Sequence, residues 1–404
     1  MKTIYLNVKC LSFLRAICCD IADRPVGSEG NRKATKIFRD ELRFLGWDVE
    51  TPDFKALDWN DKGAKLSING SSYEAFVSPY SPGCHVKAPL AAASSISDLE
   101  NNNLEGKIVL LNGDLVKEQL MPKNFMFYNP DHHKQIVSLL ENSGAKALVC
   151  ATGKNGSLAG GVSPFPLIED GDFLIPSVYL TEEEGRKLQE HINNEASLEI
   201  KSERLISNAY NVIGRKGNIS SEKIVITAHI DSKKGSPGAV DNATGAVTLL
   251  LLADLLKDYQ GSKQIEIVAF NGEDYYSVPG QMNYITANRN NFDKVALNIN
   301  IDGVGYKEGS TAFSFYNMDN GVRPKTGKII KDFQNMVEGE QWMQGDHGIF
   351  VKFGRPAIAV TSKYFIENIE SQNITHTPKD NIDIVDCRKL VELADVLHKL
   401  ILKL

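Results

Sequence analysis

The sequence is short of the features that mark several classes of protein. Its six cysteines include no C-x-x-C pair, and 404 residues are far more than a small disulfide-dependent domain has. No apolar run approaches the roughly 20 residues that a membrane-spanning helix needs. Positive charge is not in excess, and the net charge of −6 argues against nucleic acid as the main partner. We also find no internal repeat and no low-complexity tract. These absences favour a globular protein with reduced, mostly structural thiols.

The N-terminal residues have the spacing of an amphipathic helix rather than the pattern of a signal peptide. Lys9 and Arg15 interrupt the apolar residues early, while Cys10, Leu14 and Ile17 recur at helical spacing. We therefore expect a cytoplasmic protein without a membrane partner. A trimmed secreted form remains an open alternative.

Three stretches of different texture divide the chain. Residues 1–54 predict helix, turn, helix and a short strand. Residues 55–203 hold Gly, Ser, Pro and Asn clusters between short strands, which is typical of a small α/β module. Its adjacent His132 and His133 are interpreted as surface residues, because neighbouring side chains point in different directions. From residue 204 strand and helix alternate, which predicts a βαβ sheet with helices on both faces. We expect one discontinuous domain from 1–54 and 204–404, with 55–203 inserted into it.

Four segments that read as buried strands run into side chains of the kind that bind metal ions. These are Lys223 to Ala228 before His229, Gln264 to Phe270 before Glu273 and Asp274, Val295 to Ile301 before Asp302, and Ala357 to Thr361 before the loop with His376. In open parallel sheets, ligands gather beyond the carboxyl ends of the strands, so these side chains should meet. Two histidines with several carboxylates are the composition of a site for two metal ions.

Taken singly, each of these residues also has a structural alternative. Asp231 could fix the imidazole of His229, but an H-x-D motif also fits a surface pair. Asp241 could bridge two ions about 3.5–4 Å apart, or it could cap the following helix. Glu273 and Asp274 could act as general base and metal ligand, or form a solvated turn. Their occurrence together, on successive strand ends, favours the metal site.

At this point the residues resemble zinc metallopeptidase family 28, the two-zinc aminopeptidases that also include glutamate carboxypeptidases and transferrin receptors. The matching stretches are residues 229–232, 237–245, 272–274 with Gly280, 300–302, 345–347 and 376–380. Residues 1–54 are similar to the family's N-terminal helix and G-S-x-G turn, and residues 55–203 to a protease-associated domain. The resemblance implies an α/β fold with a mostly parallel mixed sheet, of the phosphorylase/hydrolase-like zinc exopeptidase type. It also implies that the inserted domain acts as a lid over the substrate cleft.

The resemblance implies two zinc ions and assigns their ligands. His229 and Asp302 would hold one ion, Asp274 and His376 would hold the other, and Asp241 would bridge both. In the family the bridging Asp precedes a cis peptide bond, so we expect one after Asp241.

The resemblance also implies the catalytic roles. Glu273 would take a proton from a water that bridges the metals and deliver it to the leaving amine. Asp231 would orient a ligand histidine. Tyr364 and His347 are candidates for stabilising the oxyanion, on the basis of their loop positions alone.

One departure from the family concerns the second ion. The family usually has Glu-Glu where this chain has Glu273-Asp274. Asp is one methylene shorter, which is about 1.5 Å of reach. The second ion would then need a backbone shift, bind more weakly, or be another divalent metal such as Mn²⁺.

We therefore expect a zinc-dependent exopeptidase, in first place an aminopeptidase that acts on peptides. A carboxypeptidase or dipeptidase of the same family is an alternative, with Arg24, Arg204, Arg215 and Arg355 as candidates for holding a substrate carboxylate. Further alternatives are a glutaminyl cyclase-like transferase with a single zinc and an inactive, receptor-like binding protein. The sequence leaves the oligomeric state open.

Overall fold

The computed structural model describes residues 2–153, 163–218, 222–318, 321–342 and 344–404. These residues divide into two compact units. Unit 1 consists of Met1–Ala56, Asn208–Asn368 and Ile374–Leu404, and unit 2 of Leu57–Ser207 and Ile369–Asn373.

The described residues contain helices and strands in both units. The helices are α1 (Lys2–Cys18), α2 (Glu29–Phe44), α3 (Ile96–Asn101), α4 (Asp131–Asn142), α5 (Glu182–Gln189), α6 (Thr244–Leu255), α7 (Pro279–Asn288), α8 (Val322–Ile330), α9 (His347–Lys352), α10 (Lys363–Glu367) and α11 (Cys387–Ile401). The strands are β1 (Asp48–Glu50), β2 (Asp53–Ile68), β3 (Ser71–Tyr73), β4 (Phe76–Val77), β5 (Cys84–Ala93), β6 (Ile108–Leu111), β7 (Ala147–Thr152), β8 (Ser177–Thr181), β9 (Glu195–Tyr210), β10 (Val212–Lys216), β11 (Lys223–His229), β12 (Gln264–Phe270), β13 (Val295–Ile301), β14 (Thr311–Tyr316), β15 (Met336–Glu338) and β16 (Ala357–Ser362).

Unit 1 is built on a mixed sheet with the strand order β1-β10-β12-β11-β13-β16-β14-β15. Its centre is parallel, since β11 pairs in parallel with β12 and β13, and β13 pairs in parallel with β16. The outer strands β10 and β14 run antiparallel to their inner neighbours. The carboxyl ends of four adjacent strands therefore lie along one edge of the sheet.

Helices cover both faces of this sheet. Successive side chains of each strand point to opposite faces, so each strand contributes to the packing on both. Ile224 and Ile226 of β11 belong to the core that α1, α6 and α11 complete, and Val225 packs with α7 and α9 on the other side. Helix α6 is buried all round, as its apolar sequence predicts. The expected α/β fold, with a mixed sheet between helices, is confirmed.

Residues at the start and at the end of α2 explain where this helix begins and ends. The helix leads into the sheet. Ser28 caps its first turn by accepting a hydrogen bond from the amide of Asn31. Gly46 follows the helix with a φ of 72°, the left-handed conformation that glycine adopts at helix ends. The chain then enters β1 at the edge of the sheet.

Unit 2 has its own sheet and its own core. The strand order is β3-β2-β9-β5-β6-β7-β8-β4, with β5 to β8 paired in parallel. The core holds Val109, Leu111, Leu140, Leu148 and Cys150, all of them buried. Unit 2 is thus a small α/β unit in its own right.

Candidate metal centre

The candidate residues come from the carboxyl ends of the four central strands of unit 1. His229 is the last residue of β11, Asp302 follows β13 directly, and Glu273 and Asp274 follow β12. His376 lies in the loop beyond β16 and α10. Because these strands are neighbours and parallel, residues up to 147 positions apart in sequence reach the same edge.

The structure brings four of the predicted side chains together around a fifth, Asp241. Oδ1 of Asp241 lies 3.2 Å from Nε2 of His229, and its Oδ2 lies 3.1 Å from Nε2 of His376. On the first side, Asp302 Oδ1 is 3.5 Å from the same His229 nitrogen. On the second side, Asp274 Oδ1 is 3.1 Å from the same His376 nitrogen. The arrangement is two His–Asp pairs that share one central carboxylate.

The protonation of these groups reflects their mutual charges. Burial disfavours charge on both imidazoles, but the surrounding carboxylates outweigh it. The pKa of His229 is raised well above its ordinary value, and that of His376 to about 10. Burial would raise the pKa of Asp241, yet the two histidines hold that pKa far below its usual range. Burial raises the pKa of Asp302.

These residues fit two divalent cations. Both ring nitrogens of His229 and Oδ2 of Asp274 are buried and have no hydrogen-bond partner among the described residues. Buried polar atoms are normally satisfied, so such a set is matched to an ion rather than to a packed core. Imidazole nitrogen with carboxylate oxygen is a donor set that catalytic zinc sites use. Cations would displace protons here, because histidine and carboxylate ligands bind in their unprotonated forms.

Asp241 does not cap a helix, which was its structural alternative. Helix α6 begins at Thr244, and the residue in the capping position is Ala243. The Asp241–Asn242 peptide bond is cis, as the resemblance implies. Asn242 donates a hydrogen bond of 2.8 Å to the carbonyl of Ile301 and accepts one from the amide of Gly245. The segment is thereby attached to the end of β13, next to Asp302.

Asp231 contacts other parts of the centre besides His229, the partner expected from the sequence. Its Oδ1 is 3.7 Å from Nδ1 of His229, longer than a hydrogen bond. The same oxygen accepts from the amides of Gly272 at 2.7 Å and Glu273 at 3.3 Å, and Oδ2 accepts from the amide of Asp274 at 3.0 Å. This buried carboxylate therefore holds the loop after β12, where the candidate base and ligand lie.

The shorter Asp274 reaches the centre with its backbone fixed at both ends of the residue. Its amide donates to Asp231, and its carbonyl accepts a hydrogen bond of 2.8 Å from Nζ of Lys233. One atom each of His229, Asp241 and Asp274 lies within 4.8 Å of the others. The loss of a methylene relative to Glu does not leave this carboxylate outside the centre.

Glu273 is half-buried and precedes a ligand candidate in sequence. Burial raises its pKa well above the ordinary value, and the carboxylates of Asp302, Asp274 and Asp346 act in the same direction. Carboxyl groups that act as general acid and base in enzymes commonly have a raised pKa of this kind. This is the protonation behaviour that a general base needs.

His347 and Tyr364, the oxyanion candidates, lie in aromatic surroundings. The ring of His347 packs against Tyr316 and Trp342 at 4.7 Å each, and its Nε2 lies 3.1 Å from the carbonyl of Trp342. Burial lowers its pKa to about 4, so the ring is neutral near pH 7. With Nε2 donating to the carbonyl, Nδ1 is an acceptor, which does not favour His347 as an oxyanion donor. Tyr364 packs at 4.9 Å on Tyr306 and is half-buried.

Two buried carboxyl groups beside the centre were given no role from the sequence. Asp346 accepts a hydrogen bond of 2.8 Å from Gln281, and burial raises its pKa to about 7. Asp380 accepts hydrogen bonds from the amides of Val240 and Asp241, and burial raises its pKa to about 7. Both residues belong to stretches that carry the family resemblance, which was the available signal.

A second group of possible ligands lies in unit 2. Glu118 Oε1 is 3.0 Å from Nε2 of His132 and 3.1 Å from Nε2 of His133. His133 is 2% exposed, so its interpretation as a surface residue is wrong, while His132 is exposed as expected. The amide of Met121 donates to Nδ1 of His133, which places the ring proton on Nε2. A protonated Nε2 cannot bind a metal ion, so His133 is not a metal ligand through the nitrogen that faces Glu118.

Comparison with known proteins agrees with this geometry. Residues 211–401 match the family model described as Peptidase family M28, which is slightly less than half of the chain. "Aminopeptidase YwaD" of Bacillus subtilis is 28% identical over 272 residues, covering 63% of this chain and 56% of that protein. "Probable lipoprotein aminopeptidase LpqL" of Mycobacterium tuberculosis is 26% identical over 291 residues, with coverages of 69% and 54%. The match thus spans little more than half the length of these curated relatives.

Solved structures share the fold over nearly the whole chain. An aminopeptidase from Aneurinibacillus sp. strain AM-1 superimposes with a TM-score of 0.76 at 21% identity, over 99% of this chain and 93% of that one. A zinc aminopeptidase from Bacillus subtilis gives a TM-score of 0.74 at 22% identity, with coverages of 98% and 94%. At such identities the likeness concerns the fold.

Proposed function

Because residues 211–401 match the model of Peptidase family M28, we propose that this chain is a zinc-dependent aminopeptidase that removes N-terminal residues from peptides. The observation that carries the proposal is the shared carboxylate of Asp241, 3.2 Å from one histidine and 3.1 Å from the other. Each histidine has a second carboxylate partner. Such a paired arrangement suits two cations a few ångströms apart.

In this proposal His229 and Asp302 would hold one zinc ion, Asp274 and His376 would hold the other, and Asp241 would contribute to both. When bound, the two cations supply Lewis-acid polarisation of the scissile carbonyl and acidify a water molecule. The protein side chains fix the substrate and move protons around that centre. The five-residue set favours this reading over a single-zinc glutaminyl cyclase and over an inactive binding protein that has lost ligands.

Glu273 is the proposed general base. It takes the proton of the attacking water on its carboxylate and then gives that proton to the amine of the leaving peptide. Its backbone is held by the hydrogen bond from its amide to Asp231 at 3.3 Å. Bound cations would lower the raised pKa of Glu273, because positive charge favours the ionised carboxylate.

The basic residues support an aminopeptidase over a carboxypeptidase. Arg24 is fully buried and donates to backbone carbonyls. Arg215 pairs with Glu50 and Glu266 at 2.7 Å each. Arg204 donates to the carbonyls of Tyr80 and Phe173, and Arg355 to that of Val295. The four arginines considered for a substrate carboxylate are thus all engaged within the protein.

The second ion is proposed to be zinc, with manganese as the alternative. Asp274 Oδ1 reaches 3.1 Å from Nε2 of His376, so its shorter side chain still completes a His–Asp pair. An imidazole ligand favours zinc, whereas a carboxylate-rich site also accepts manganese. Comparing the activity regained with each metal distinguishes them.

The experiment that tests the function is hydrolysis of a panel of aminoacyl p-nitroanilides by the purified protein. We expect release of p-nitroaniline that chelation abolishes and that added Zn²⁺ or Mn²⁺ restores. N-acetylation of the substrate should abolish release, because a free α-amino group is required. Cleavage of N-acetylated peptides with a free carboxylate would instead establish a carboxypeptidase. No cleavage of either kind under any metal would contradict the proposal.

A further inference from the structure

The segment that carries the shared carboxylate is held on one side by Asp380. This residue is fully buried, four positions after His376. Its Oδ1 accepts a hydrogen bond of 2.7 Å from the amide of Val240, and its Oδ2 one of 3.0 Å from the amide of Asp241. Its backbone carbonyl accepts a third, of 3.1 Å, from Ala239. Asp380 thus accepts hydrogen bonds from three successive backbone amides.

The other side of the segment is held by Arg24, in the turn between α1 and α2. The guanidinium is also fully buried, and it donates 2.6 Å to the carbonyl of Pro237 and 2.8 Å to that of Gly238. A further bond of 2.9 Å goes to the carbonyl of Ile230, next to the end of β11. Gly238 has a φ of 55°, and a Cβ there would lie 2.9 Å from Nη2 of Arg24. Glycine is therefore needed for the guanidinium to approach.

Arg24 and Asp380 are complementary within residues 237–241: Arg24 donates to the carbonyls of the first two residues, and Asp380 accepts from the amides of the last three. Burying a charged group is costly unless its hydrogen bonds are satisfied, and here the bonds go to this segment. Neither group forms an ion pair with an oppositely charged side chain among the described residues. The hydrogen bonds to this backbone segment therefore offset the cost of burying the two groups, and they fix the segment in place.

We propose that Arg24 and Asp380 form a clamp of two positioning residues that fixes Asp241 midway between the two ion sites and thereby sets the affinity for both ions. This inference rests on the proposed function, because it takes the five side chains as a metal centre. The clamp acts on both sites because the two oxygens of Asp241 face different histidines. It also joins this segment to the loop of His376, and the hydroxyl of Ser236, which donates 3.1 Å to the carbonyl of Thr377, adds a further link.

The test uses two variants of the full chain, the near-isosteric Asp380→Asn and the charge-conserving Arg24→Lys. In Asp380→Asn one of the two amides must face an amide donor instead of an acceptor. In Arg24→Lys the charge stays but the fork that reaches two carbonyls is lost. The matched controls are Asp383→Asn, an exposed carboxylate close in sequence, and Arg43→Lys, an exposed arginine on α2.

The readouts are calorimetric titration with Co²⁺ and the visible spectrum of the bound cobalt. We expect both clamp variants to bind cobalt about 10–100-fold more weakly, as for other outer partners of metal ligands, with an altered spectrum. The controls should match the wild type. Folded clamp variants with wild-type affinity and spectrum would overturn the proposal.

A second measurement does not depend on the variants folding. In the ion-free wild-type protein, the amides of Val240 and Asp241 should exchange slowly with deuterium, because the clamp is formed without ions. Fast exchange of these amides that slows only on addition of cobalt would overturn the proposal. A wild type that binds two ions without cleaving any peptide substrate would remove the proposed function and leave the clamp standing. A wild type that binds no ion would remove both.

Discussion

Asp231 shows at the scale of one residue how the centre is preorganised. A carboxylate that only oriented His229 would need one oxygen for Nδ1. Here both oxygens accept amides of the loop that follows β12, including that of Asp274 at 3.0 Å. Charge-assisted bonds of this kind are roughly twice as strong as neutral ones. The position of the candidate base and of the second ligand is therefore set by backbone, before any ion binds.

The substitution Glu273→Gln tests the proposed base. Gln has nearly the same shape but cannot accept a proton, so we expect kcat to fall by about 10²–10⁴-fold. Zinc content should stay at the wild-type value, because Glu273 is not among the proposed ligands. The measurements are p-nitroanilide kinetics and metal analysis of the same sample.

The control for this substitution is Glu308→Gln, which changes an exposed glutamate elsewhere in unit 1. It should leave both kinetics and zinc content unchanged. Retained turnover in Glu273→Gln would rule out this residue as the base. Loss of zinc in the same variant would show that it acts as a ligand.

The sequence predicts the side chains of the centre better than it predicts what holds them. His229 and Asp302 could be placed because each ends a strand whose pattern is plain in the sequence. The contacts of Asp380 and Arg24 depend on how distant loops pack, and no local pattern encodes that. Arg24 was considered only as a carboxylate-binding group, because a lone arginine in a turn carries no other signal. The catalytic roles of individual residues remain predictions.

At the scale of elements, buried strands are predicted from the sequence more accurately than half-exposed ones. The ranges of β12 and β13 equal those expected from the sequence, where apolar residues predominate, and β11 is longer by one residue. The 16-residue strands β2 and β9 were not anticipated, because polar residues and Gly63 interrupt their alternation. Long, half-exposed antiparallel strands give a weak sequence signal, since pairing partners rather than local pattern maintain them.

Helix α1 provides a prediction at this scale. Lys9 Nζ lies 2.6 Å from Asp254 of α6 and 2.7 Å from Glu41 of α2, and the Lys9 side chain is 12% exposed. Lys9→Met leaves the mostly buried Glu41 without its cation and Asp254 with only Lys257, whose Nζ lies 3.4 Å away. We expect the free energy of unfolding to fall by about 2 kcal/mol, between the values for exposed and fully buried pairs, because some solvent reaches these groups. Denaturant unfolding measures it.

The pH dependence of this loss follows from the two partners. Burial would raise the pKa of Asp254, but Lys9 and Lys257 hold it below its ordinary value, so its contribution is lost as the pH falls through that lowered pKa. Burial would lower the pKa of Lys9, but Asp254 and Glu41 raise it, so its contribution is lost only as the pH rises through that raised pKa. The difference between variant and wild type should be constant from about pH 5 to 9.

The control is Lys36→Met, which breaks an ion pair with Asp40 whose side chains are 66% and 43% exposed. Exposed pairs contribute about 0–1 kcal/mol, so this variant should be near wild type. If both substitutions lowered the free energy of unfolding equally, the proposed stabilisation by the ion pairs of Lys9 would be contradicted.

At the scale of the molecule, the proposed centre lies within unit 1. Its ligands span residues 229 to 376, and all five belong to that unit. The assignment of residues 55–203 to a protease-associated lid remains a prediction, as does a cytoplasmic location. No helix among the described residues is long and apolar enough to cross a membrane. The family resemblance itself is confirmed by the match over residues 211–401.

The separate cores of the two units lead to a prediction about unfolding. Leu249 and Ile299 belong to the core of unit 1, and Leu140 and Leu148 to that of unit 2. Proteins with several cores often unfold in more than one step. We expect calorimetry of the chelated protein to show two transitions. Zinc at about 100 times its Kd should raise the free energy of unfolding in one of them by about 2.7 kcal/mol. For a unit of this size that raises the midpoint temperature by roughly 5–10 °C.

The transition that moves should be that of unit 1, because ions stabilise only the part that binds them. Asp241→Asn, which removes the shared carboxylate, should abolish the shift and leave the other transition in place. Limited proteolysis during heating, read by mass spectrometry, assigns each transition to residues. A shift confined to unit 2 would contradict the placement of the ions. A single transition that moves as a whole would show that the two cores unfold together, so that ion binding in one unit stabilises the entire chain.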